Sequence, residues 1–265
     1  MRITYRSVGN KDYWAKRWAQ IPADQAMDNP EKYPLKYALL TVKDKDGKIL
    51  EAGCGNGRIV RYYKDRGYDI LGIDFIEEAI SKLKAADPEV QAEVGDITNL
   101  HFKDETFKYI LAYGLYHNLE HGLEKAIAET FRVLKKGGLV CASFRADNIQ
   151  NKLNDSLAEK RAVAGDKTGS TKQFHKLNLT RCELVELFKR GGFEVEAVYR
   201  AENMPLLYKF PFFRAKTHKQ FDENVARKEG YKLSLLGNLI TKVLMKLFPD
   251  QFCNIYVLIA EKPGV

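Results

Sequence analysis

Three closely spaced glycines, Gly53, Gly55 and Gly57, lie in the segment EAGCGNG and follow a short apolar run. Glycines at such a turn let the backbone bend sharply and approach a ligand without a Cβ in the way. A dinucleotide-binding turn of the GxGxxG type needs a glycine where this chain has Arg58, and no GK[ST] sequence of a P-loop follows. The spacing therefore favours a nucleoside ligand over a pyrophosphate, with a purely structural turn as the alternative.

Two acidic residues follow the next two apolar runs. Asp74 lies near the end of DILGIDF and Asp96 ends VQAEVGD. In doubly wound sheets, ligands bind at the carboxyl ends of the strands, where an acid accepts hydrogen bonds from ribose hydroxyls. Helix capping alone does not easily explain the glycines and both acids at three successive strand ends, so we expect a nucleoside-binding site.

The elements that must position these residues alternate along the chain. Short apolar runs typical of buried strands alternate with amphipathic segments of helical period. This alternation predicts an α/β fold, a Rossmann-like seven-stranded and mostly parallel sheet with helices on both faces. The strand patterns cover residues 48–54, 69–75, 90–96, 108–114, 138–144, 193–200 and 252–263, and the helical patterns cover residues 58–67, 76–88, 122–138 and 180–192.

Three regions fall outside this alternation. Residues 1–46 are polar, basic and interrupted by prolines, and we expect an N-terminal helical cap there. Residues 145–180 are expected to form a loop with one helix near residues 151–163. Residues 203–250 are a basic, aromatic-rich insertion before the last strand, expected to form a helical substrate lid. The predicted domains are the cap 1–46, the Rossmann-like domain 47–202 with 251–265, and the insertion 203–250.

As a set, these motifs resemble those of class I S-adenosylmethionine-dependent methyltransferases of the type 11, or UbiE-like, family. The family's glycine motif, E/DxGxGxG, is similar to LEAGCGNG, and its acidic second motif is similar to GIDF. Its adenine-contacting motif is similar to GDITNLHF, and its fourth-strand and fifth-strand motifs are similar to FKYILAYGLYHNLEH and FRVLKKGGLVCASF. The resemblance covers residues 48–144 well, and 174–200 and 252–263 more loosely. It implies a methyltransferase with S-adenosyl-L-methionine as cofactor and S-adenosyl-L-homocysteine as product.

The resemblance also implies roles for individual residues. The three glycines of the loop would line the methionine moiety, and Glu51 would orient its ammonium group. Asp74 would bind the ribose diol, and Asp96 would accept a hydrogen bond from the adenine amine. Further implied cofactor contacts come from the side chains of Phe75 and Ile76, the backbone N–H of Ile97, and the backbone carbonyls of Ala112 and Tyr113.

One implied cofactor contact lies far from the glycine loop in sequence. Tyr13, Trp14 and Arg17 resemble a YWxxR segment that many relatives fold over the cofactor, although a helix anchored by aromatic side chains is the alternative. Lys108 departs from the family pattern, which usually has Asp there. That Asp is mostly structural, so the cofactor assignment is unaffected.

The chemistry of methyl transfer constrains the remaining residues only weakly. An in-line displacement on a sulfonium needs an aligned acceptor and the exclusion of water, and no general base is obligatory. A histidine would serve where the acceptor is a hydroxyl or a protonated amine. His117 and His175 lie where a substrate is expected and are the candidate catalytic residues, with a packing role and a surface position as the respective alternatives. His121 follows His117 by four residues, but no third ligand is evident, so we expect no metal site.

Composition sets the broad class of the protein. The 265 residues are 45% hydrophobic and 29% charged, which is typical of globular proteins and excludes a disordered chain. A net charge of +8 suits an anionic partner without selecting one. The four cysteines form no CxxC pair, and no apolar leader or transmembrane stretch is present. A cytoplasmic protein without a disulfide framework is therefore expected.

The acceptor is the open question. The segment LSLLGNLITKVLMKLF predicts an amphipathic helix with Lys242 and Lys246 off its apolar stripe, suited to a core or lid or to a membrane surface. We expect a small-molecule or lipid-like acceptor, with peripheral membrane contact open. An RNA methyltransferase is the first alternative, although no RNA-binding module is evident. A non-catalytic S-adenosylmethionine-binding protein is the second alternative.

Overall fold

A computed structural model describes residues 1–165, 172–201, 204–220 and 230–264, with side chains undescribed over 160–165. The mixed α/β architecture is confirmed, with a central and mostly parallel sheet. In chain order the strands are β1 (Arg2–Arg6), β2 (Ile49–Ala52), β3 (Ile70–Asp74), β4 (Ala92–Val94), β5 (Phe107–Ala112), β6 (Leu134–Ala146), β7 (Gln173–Leu179), β8 (Glu194–Ala201) and β9 (Ile255–Glu261).

The sheet is built around β2, whose neighbours are β3 and β5. Hydrogen bonding gives the order β4-β3-β2-β5-β6-β9-β8, in which only β9 runs antiparallel to its neighbours. Beyond the end of β5, the last residues of β6 pair with β7, and β7 pairs in turn with β1. The carboxyl ends of β2, β3, β4 and β5 therefore meet at one edge of the sheet.

Nine helices occur in the part of the chain that the structure describes, apart from short 3-10 turns. They are α1 (Asn10–Gln20), α2 (Leu35–Thr41), α3 (Arg58–Lys64), α4 (Glu77–Ala86), α5 (Leu123–Val133), α6 (Ile149–Gly165), α7 (Arg181–Arg190), α8 (Leu235–Leu247) and α9 (Pro249–Phe252). The helix predicted over residues 180–192 is present as α7, and the Thr180 side chain and Glu183 form a capping box at its start. Within these described residues, none of the helices is both long and apolar enough to cross a bilayer.

Both faces of the sheet are covered, because alternate residues of one strand pack into different clusters. Leu50 and Ile110 belong to one core cluster, while their chain neighbours Ile49 and Tyr109 belong to the other. All four residues are at most 2% exposed. Near-continuous apolar strands of this kind are characteristic of parallel sheets buried on both sides.

The sheet has nine strands, two more than the seven predicted. The expectation of a loop over residues 145–180 was wrong for β7, although the helix expected near 151–163 is present as α6. The other addition, β1, lies in the region predicted to be a helical cap, and α1 follows it. Residues 166–171 of the predicted loop and residues 203 and 221–229 of the predicted insertion lie outside the described residues, as do residues 202 and 265 of the predicted Rossmann-like domain.

Candidate functional site

A cavity of about 1110 Å³ opens at the carboxyl ends of the central strands. Its floor is formed by residues that directly follow or end β2, β3, β4 and β5, such as Gly53, Asp74, Asp96 and Tyr113. Its walls come from α1, from the segment before α2 and from the insertion. This is where ligands bind in open α/β sheets, and the cavity therefore is the candidate site.

The glycines of the loop differ in their roles, because one lines the cavity and the other two leave room for neighbouring side chains. Gly53 lines the cavity, and its N–H donates to the Ile73 carbonyl at 2.8 Å, which fixes the turn after β2. Gly55 has a φ of 52° and packs against the Trp18 indole. A Cβ at this position would lie 2.5 Å from the indole, so only glycine leaves room for it. A Cβ at Gly57 would lie 2.6 Å from the Leu83 side chain, which occupies the space beside this glycine. Gly55 and Gly57 are therefore not among the lining residues, and their contact with the methionine moiety stays a prediction.

Glu51 presents a buried carboxylate to the cavity. The residue is 5% exposed, and Oε2 accepts a hydrogen bond from the Val60 N–H at 3.0 Å. That N–H is one of the donors that the first turn of α3 leaves unpaired, and the N-cap Gly57 has no side chain to bond it. Burial, with a smaller contribution from the nearby charge of Asp74, raises the pKa of Glu51 to about 8 against the effect of the Val60 hydrogen bond. The carboxyl group is therefore mostly protonated at neutral pH.

Asp74 connects the end of β3 to the glycine loop. Oδ2 accepts from the Gly55 N–H at 2.8 Å, and Oδ1 accepts from the Ile76 N–H at 2.9 Å. Burial raises the pKa of this carboxyl above its usual value, against the effect of these bonds. Each carboxylate oxygen has further lone pairs, so Asp74 can still accept from a pair of hydroxyl groups.

The residues that follow β3 and β4 form a second part of the cavity. Asp96 is exposed, and its Oδ1 accepts from both the backbone N–H and the hydroxyl of Thr98, each at 2.8 Å. Ile76 and Ile97 are buried and Phe75 is 54% exposed, yet all three line the cavity. An apolar slot with one carboxylate at its edge suits a purine ring with an exocyclic amine. After β5, Tyr113 lines the cavity and Ala112 does not.

The aromatic segment of α1 covers the glycine loop. Tyr13, Trp14, Arg17 and Trp18 all line the cavity, and the Trp14 and Trp18 rings stack at 5.5 Å. Trp18 makes the closest approach to the loop, at Gly55. The three residues selected from the sequence line the cavity, and their contact with the cofactor stays a prediction. Trp18 adds a contact that the YWxxR pattern does not include.

Two polar side chains hold α1 against the site. The Lys82 ammonium donates to the carbonyls of Trp18, Ala19 and Ile21 at 3.2, 2.8 and 2.6 Å. Carbonyls at the end of a helix have no partner within the helix, so a cation there stabilises it. Asn56, in the glycine loop, donates through its amide to the Ile21 carbonyl at 2.6 Å. The end of α1 is thus tied both to α4 and to the loop.

Replacement of Lys82 by Met is expected to loosen α1. The variant leaves the three carbonyls without a charged donor, each such bond contributing about 1–3 kcal/mol. Faster amide hydrogen exchange over residues 10–21 and about tenfold weaker cofactor binding are the expected results. Lys84→Met, on the same helix, is the matched control and should change neither. Unchanged exchange in Lys82→Met would show that packing alone holds α1.

Tyrosines form the wall opposite the glycine loop. Tyr33 and Tyr113 meet edge to face at 5.9 Å, and the Tyr33 hydroxyl is 2.8 Å from the Ser143 hydroxyl. Ser143 also accepts from the Gly114 N–H at 2.9 Å. Burial raises the pKa of Tyr33 to about 12, so the group remains a neutral hydrogen-bond donor. This wall carries no charge of its own.

One cation stands beside this wall. Arg145, near the end of β6, is half-buried and lines the cavity close enough to Tyr33 to lower its pKa. Over the described residues, its guanidinium makes no hydrogen bond and no ion pair. A guanidinium that faces a cavity and forms no ion pair with the described residues is suited to bind an anionic group of a ligand.

The two candidate catalytic histidines do not line the cavity. His117 is 7% exposed, and burial lowers its pKa well below the usual value, with Arg145 and Lys176 adding to the effect. His175 lies on β7, with Nδ1 3.4 Å from the Thr4 hydroxyl, and burial lowers its pKa to about 3. Both rings are therefore neutral at physiological pH, and a role as base stays a prediction for each. His121 is a histidine that does line the cavity.

Comparisons with known proteins bear on the family and the fold of this chain. Residues 50–142 match a family described as a methyltransferase domain. The chain is 25% identical over 195 residues to a protein of Mycolicibacterium smegmatis described as a probable S-adenosylmethionine-dependent methyltransferase, covering 73% of this chain and 64% of that relative. It is 26% identical over 237 residues to an S-adenosyl-L-methionine-dependent Diels-Alderase of Talaromyces variabilis, covering 83% and 80% of the two chains. In fold it is similar to an S-adenosylmethionine-dependent methyltransferase from Methanosarcina mazei, with a TM-score of 0.57 and 21% identity over 87% of this chain and 98% of that one.

Proposed function

Since the chain belongs to the class I S-adenosylmethionine-dependent methyltransferases, with a methyltransferase domain over residues 50–142, we propose that it methylates a small amphipathic acceptor in the cavity. The observation that carries the proposal is a single cavity with two chemically different parts. Buried carboxylates on the strand ends suit the cofactor, and a tyrosine wall with Arg145 suits the acceptor. The volume of about 1110 Å³ is at the upper end of small-molecule sites, which leaves space for both molecules.

The residues on the strand ends fit S-adenosylmethionine. Glu51 and Asp74 both face the cavity from buried positions, and their pKa values are raised by burial. A ligand with an ammonium and a sulfonium compensates for this desolvation, and the diol of a ribose matches the acceptor atoms of Asp74. The cofactor supplies a methyl group already activated by its sulfonium. The chain therefore has to orient the acceptor and exclude water.

We propose that the cover formed by α1 and by the insertion excludes water from the site. Lys82 and Asn56 hold the end of α1, and Gly230 and Tyr231 of the insertion line the cavity. On the acceptor side, apolar residues such as Met204 and Pro205 suit a hydrophobic body, while Arg145 suits an anionic group. An amphipathic acid or phosphate ester is the acceptor class that this combination favours. A cytoplasmic location is proposed as well, since all four cysteines are free thiols.

The test of the proposed function is an acceptor screen with methyl-labelled S-adenosylmethionine. Amphipathic acids and phosphate esters are the first compounds to include, with phenols and quinols as uncharged comparisons and total tRNA as the test of the RNA alternative. We expect labelled product and an equal amount of S-adenosylhomocysteine from one acceptor class, and no product with Asp74→Ala. Transfer to tRNA, with none to small molecules, would contradict the proposal.

Replacement of Arg145 by Met is expected to separate acceptor binding from cofactor binding. A hydrogen bond to a charged group contributes about 1.5–3 kcal/mol, so the KM for an anionic acceptor should rise roughly 10- to 150-fold. The Kd for S-adenosylhomocysteine should not change, and neither value should change in Arg190→Met on the exposed side of α7. An unchanged KM in Arg145→Met would contradict the proposal that the acceptor carries an anionic group bound by Arg145.

A second function is favoured by one relative. The Talaromyces variabilis protein is described as a Diels-Alderase that depends on S-adenosylmethionine, and a cycloaddition transfers no methyl group. For this chain, such a reaction would use the same cavity with the cofactor held but not consumed. Product formation from a diene substrate without S-adenosylhomocysteine release would favour this function over methyl transfer.

A further inference from the structure

The apolar side of α8 is exposed to solvent. Leu235, Leu239, Val243 and Leu247 follow one another at intervals of one helical turn and are 92, 61, 46 and 62% exposed. The sequence predicts an amphipathic helix here, and the structure turns part of its apolar stripe outward. Contiguous exposed apolar side chains of this kind mark interaction sites in folded proteins.

Aromatic side chains extend this face at both ends of the helix. Phe212 is 77% exposed and Phe248 is 54% exposed. The turn that carries Phe212 is fixed against the start of α8, because the Ser234 N–H donates to the Phe213 carbonyl at 2.8 Å. We call the whole group the α8 surface, and it comprises Phe210, Phe212, Leu235, Leu236, Leu239, Val243, Leu247 and Phe248.

The described sequence that carries the α8 surface is basic. In the sequence of the two described ranges, 204–220 and 230–248, there are seven Lys or Arg residues and no Asp or Glu. Lys242 and Lys246 are exposed on α8 itself. A layer of anionic headgroups over hydrocarbon accommodates both the exposed apolar side chains and the two exposed lysines of α8.

We propose that the α8 surface binds the interface of an anionic membrane, with its leucines and phenylalanines inserted and its lysines at the headgroups. An amphipathic helix of 13 residues lies in the interface rather than across the bilayer. The same insertion carries Gly230 and Tyr231, which line the cavity. A membrane-bound chain therefore holds its cavity close to molecules dissolved in the lipid.

Vesicle flotation tests this inference without any acceptor. Full-length protein is floated with vesicles of phosphatidylcholine alone or of phosphatidylcholine mixed with phosphatidylglycerol. We expect binding to the mixed vesicles that weakens with salt, and a partition constant at least about tenfold lower for Leu239→Glu/Val243→Glu. Lys242→Glu/Lys246→Glu should lose the preference for the anionic lipid.

Matched control variants distinguish binding through the α8 surface from non-specific binding of the protein to vesicles. Leu40→Glu changes an exposed leucine of α2, and Lys135→Glu/Lys136→Glu changes two exposed lysines of β6; both should float like the wild type. Every variant is first shown to bind S-adenosylhomocysteine like the wild type, so that failure of the surface and failure of the proposed function remain distinguishable. Wild-type protein that stays at the bottom with mixed vesicles at low salt overturns the inference. A dimer that only Leu239→Glu/Val243→Glu dissociates would also overturn it, by assigning the surface to a second copy.

Discussion

Asp74→Ala is expected to weaken binding of S-adenosylhomocysteine at least about 100-fold, as measured by calorimetric titration. The substitution removes both acceptors proposed for the ribose diol. Each bond from a neutral hydroxyl to a carboxylate contributes about 1.5–3 kcal/mol, and each 1.4 kcal/mol corresponds to a tenfold change in Kd. The Gly55 and Ile76 N–H groups lose their partners as well.

The loss of these two backbone partners has its own consequence. Buried N–H groups without acceptors cost about 1–3 kcal/mol each, so the variant should also unfold at a lower denaturant concentration. Asp74→Asn keeps one acceptor atom and should recover part of the stability but little of the binding. This difference separates the effect on the ligand from the effect on the loop.

Asp69→Ala is the matched control for Asp74→Ala. Asp69 precedes the same strand at its opposite end and is exposed. It should bind S-adenosylhomocysteine like the wild type. Tight binding by a folded Asp74→Ala variant would contradict the assignment of the ribose site.

The second large effect is expected at Glu51, where a buried acid opposes folding. The pKa of Glu51 is about 8 in the folded chain against 4.5 for a free side chain. Between these two values the folded state binds more protons than the unfolded state, so stability falls as the pH rises. The stability is fully present below pH 4.5 and the loss is complete above pH 8.

Glu51→Gln should remove this slope. Its amide oxygen can still accept the Val60 N–H, but it does not titrate. One pKa unit corresponds to about 1.36 kcal/mol, so the wild type should lose of the order of 4 kcal/mol more than the variant between pH 4.5 and pH 8. Urea unfolding of the free protein at both pH values measures the difference. Glu89→Gln, an exposed carboxylate after α4, should keep the wild-type slope.

The same substitution should act on cofactor binding in the opposite direction. An ammonium group beside Glu51 favours the ionised carboxylate, so binding at pH 7 should release up to about one proton. Titrations in two buffers of different ionisation enthalpy measure this release. Glu51→Gln should be more stable than the wild type at pH 7, bind the cofactor more weakly and release no proton. Equal release by both proteins would place the ammonium group elsewhere.

The parts of the site that follow from local sequence could be predicted. The glycines and Asp74 lie at the ends of neighbouring strands, so the order of strands along the chain is enough to bring them together. Gly53 and Asp74 accordingly line the cavity. Lys108, the departure from the family pattern, pairs with Asp44 at 2.9 Å on the surface and does not affect the site.

The parts that depend on distant pairs could not be predicted. Trp18 fills the space above Gly55, and Lys82 caps α1 from α4, but neither contact leaves a periodic signal. Arg145 lies near the end of a strand, and only the fold shows that it lines the cavity. The strand β7 alternates poorly because Phe174 and Leu177 are separated by an odd number of positions.

The insertion shows a different limit of pattern reasoning. A helical period identifies an apolar stripe on α8, with its members spaced at three and four residues. Periodicity does not reveal the environment that the stripe faces. The sequence is therefore consistent with a stripe that faces the core, a lid or a membrane surface. The exposure of its side chains distinguishes these environments, and exposure is known only from the placed helix.

The pairing of β1 with β7 has a consequence for the order of folding. Ile3 pairs with Leu177 across most of the chain, so the strand that precedes the cover helix α1 is synthesised long before its partner exists. Contacts of such separation form late, because closing the intervening chain costs entropy that local contacts do not compensate. The sheet around β2 can therefore assemble before β1 is paired. On the ribosome, the backbone of β1 remains without its partner strand until β7 has emerged.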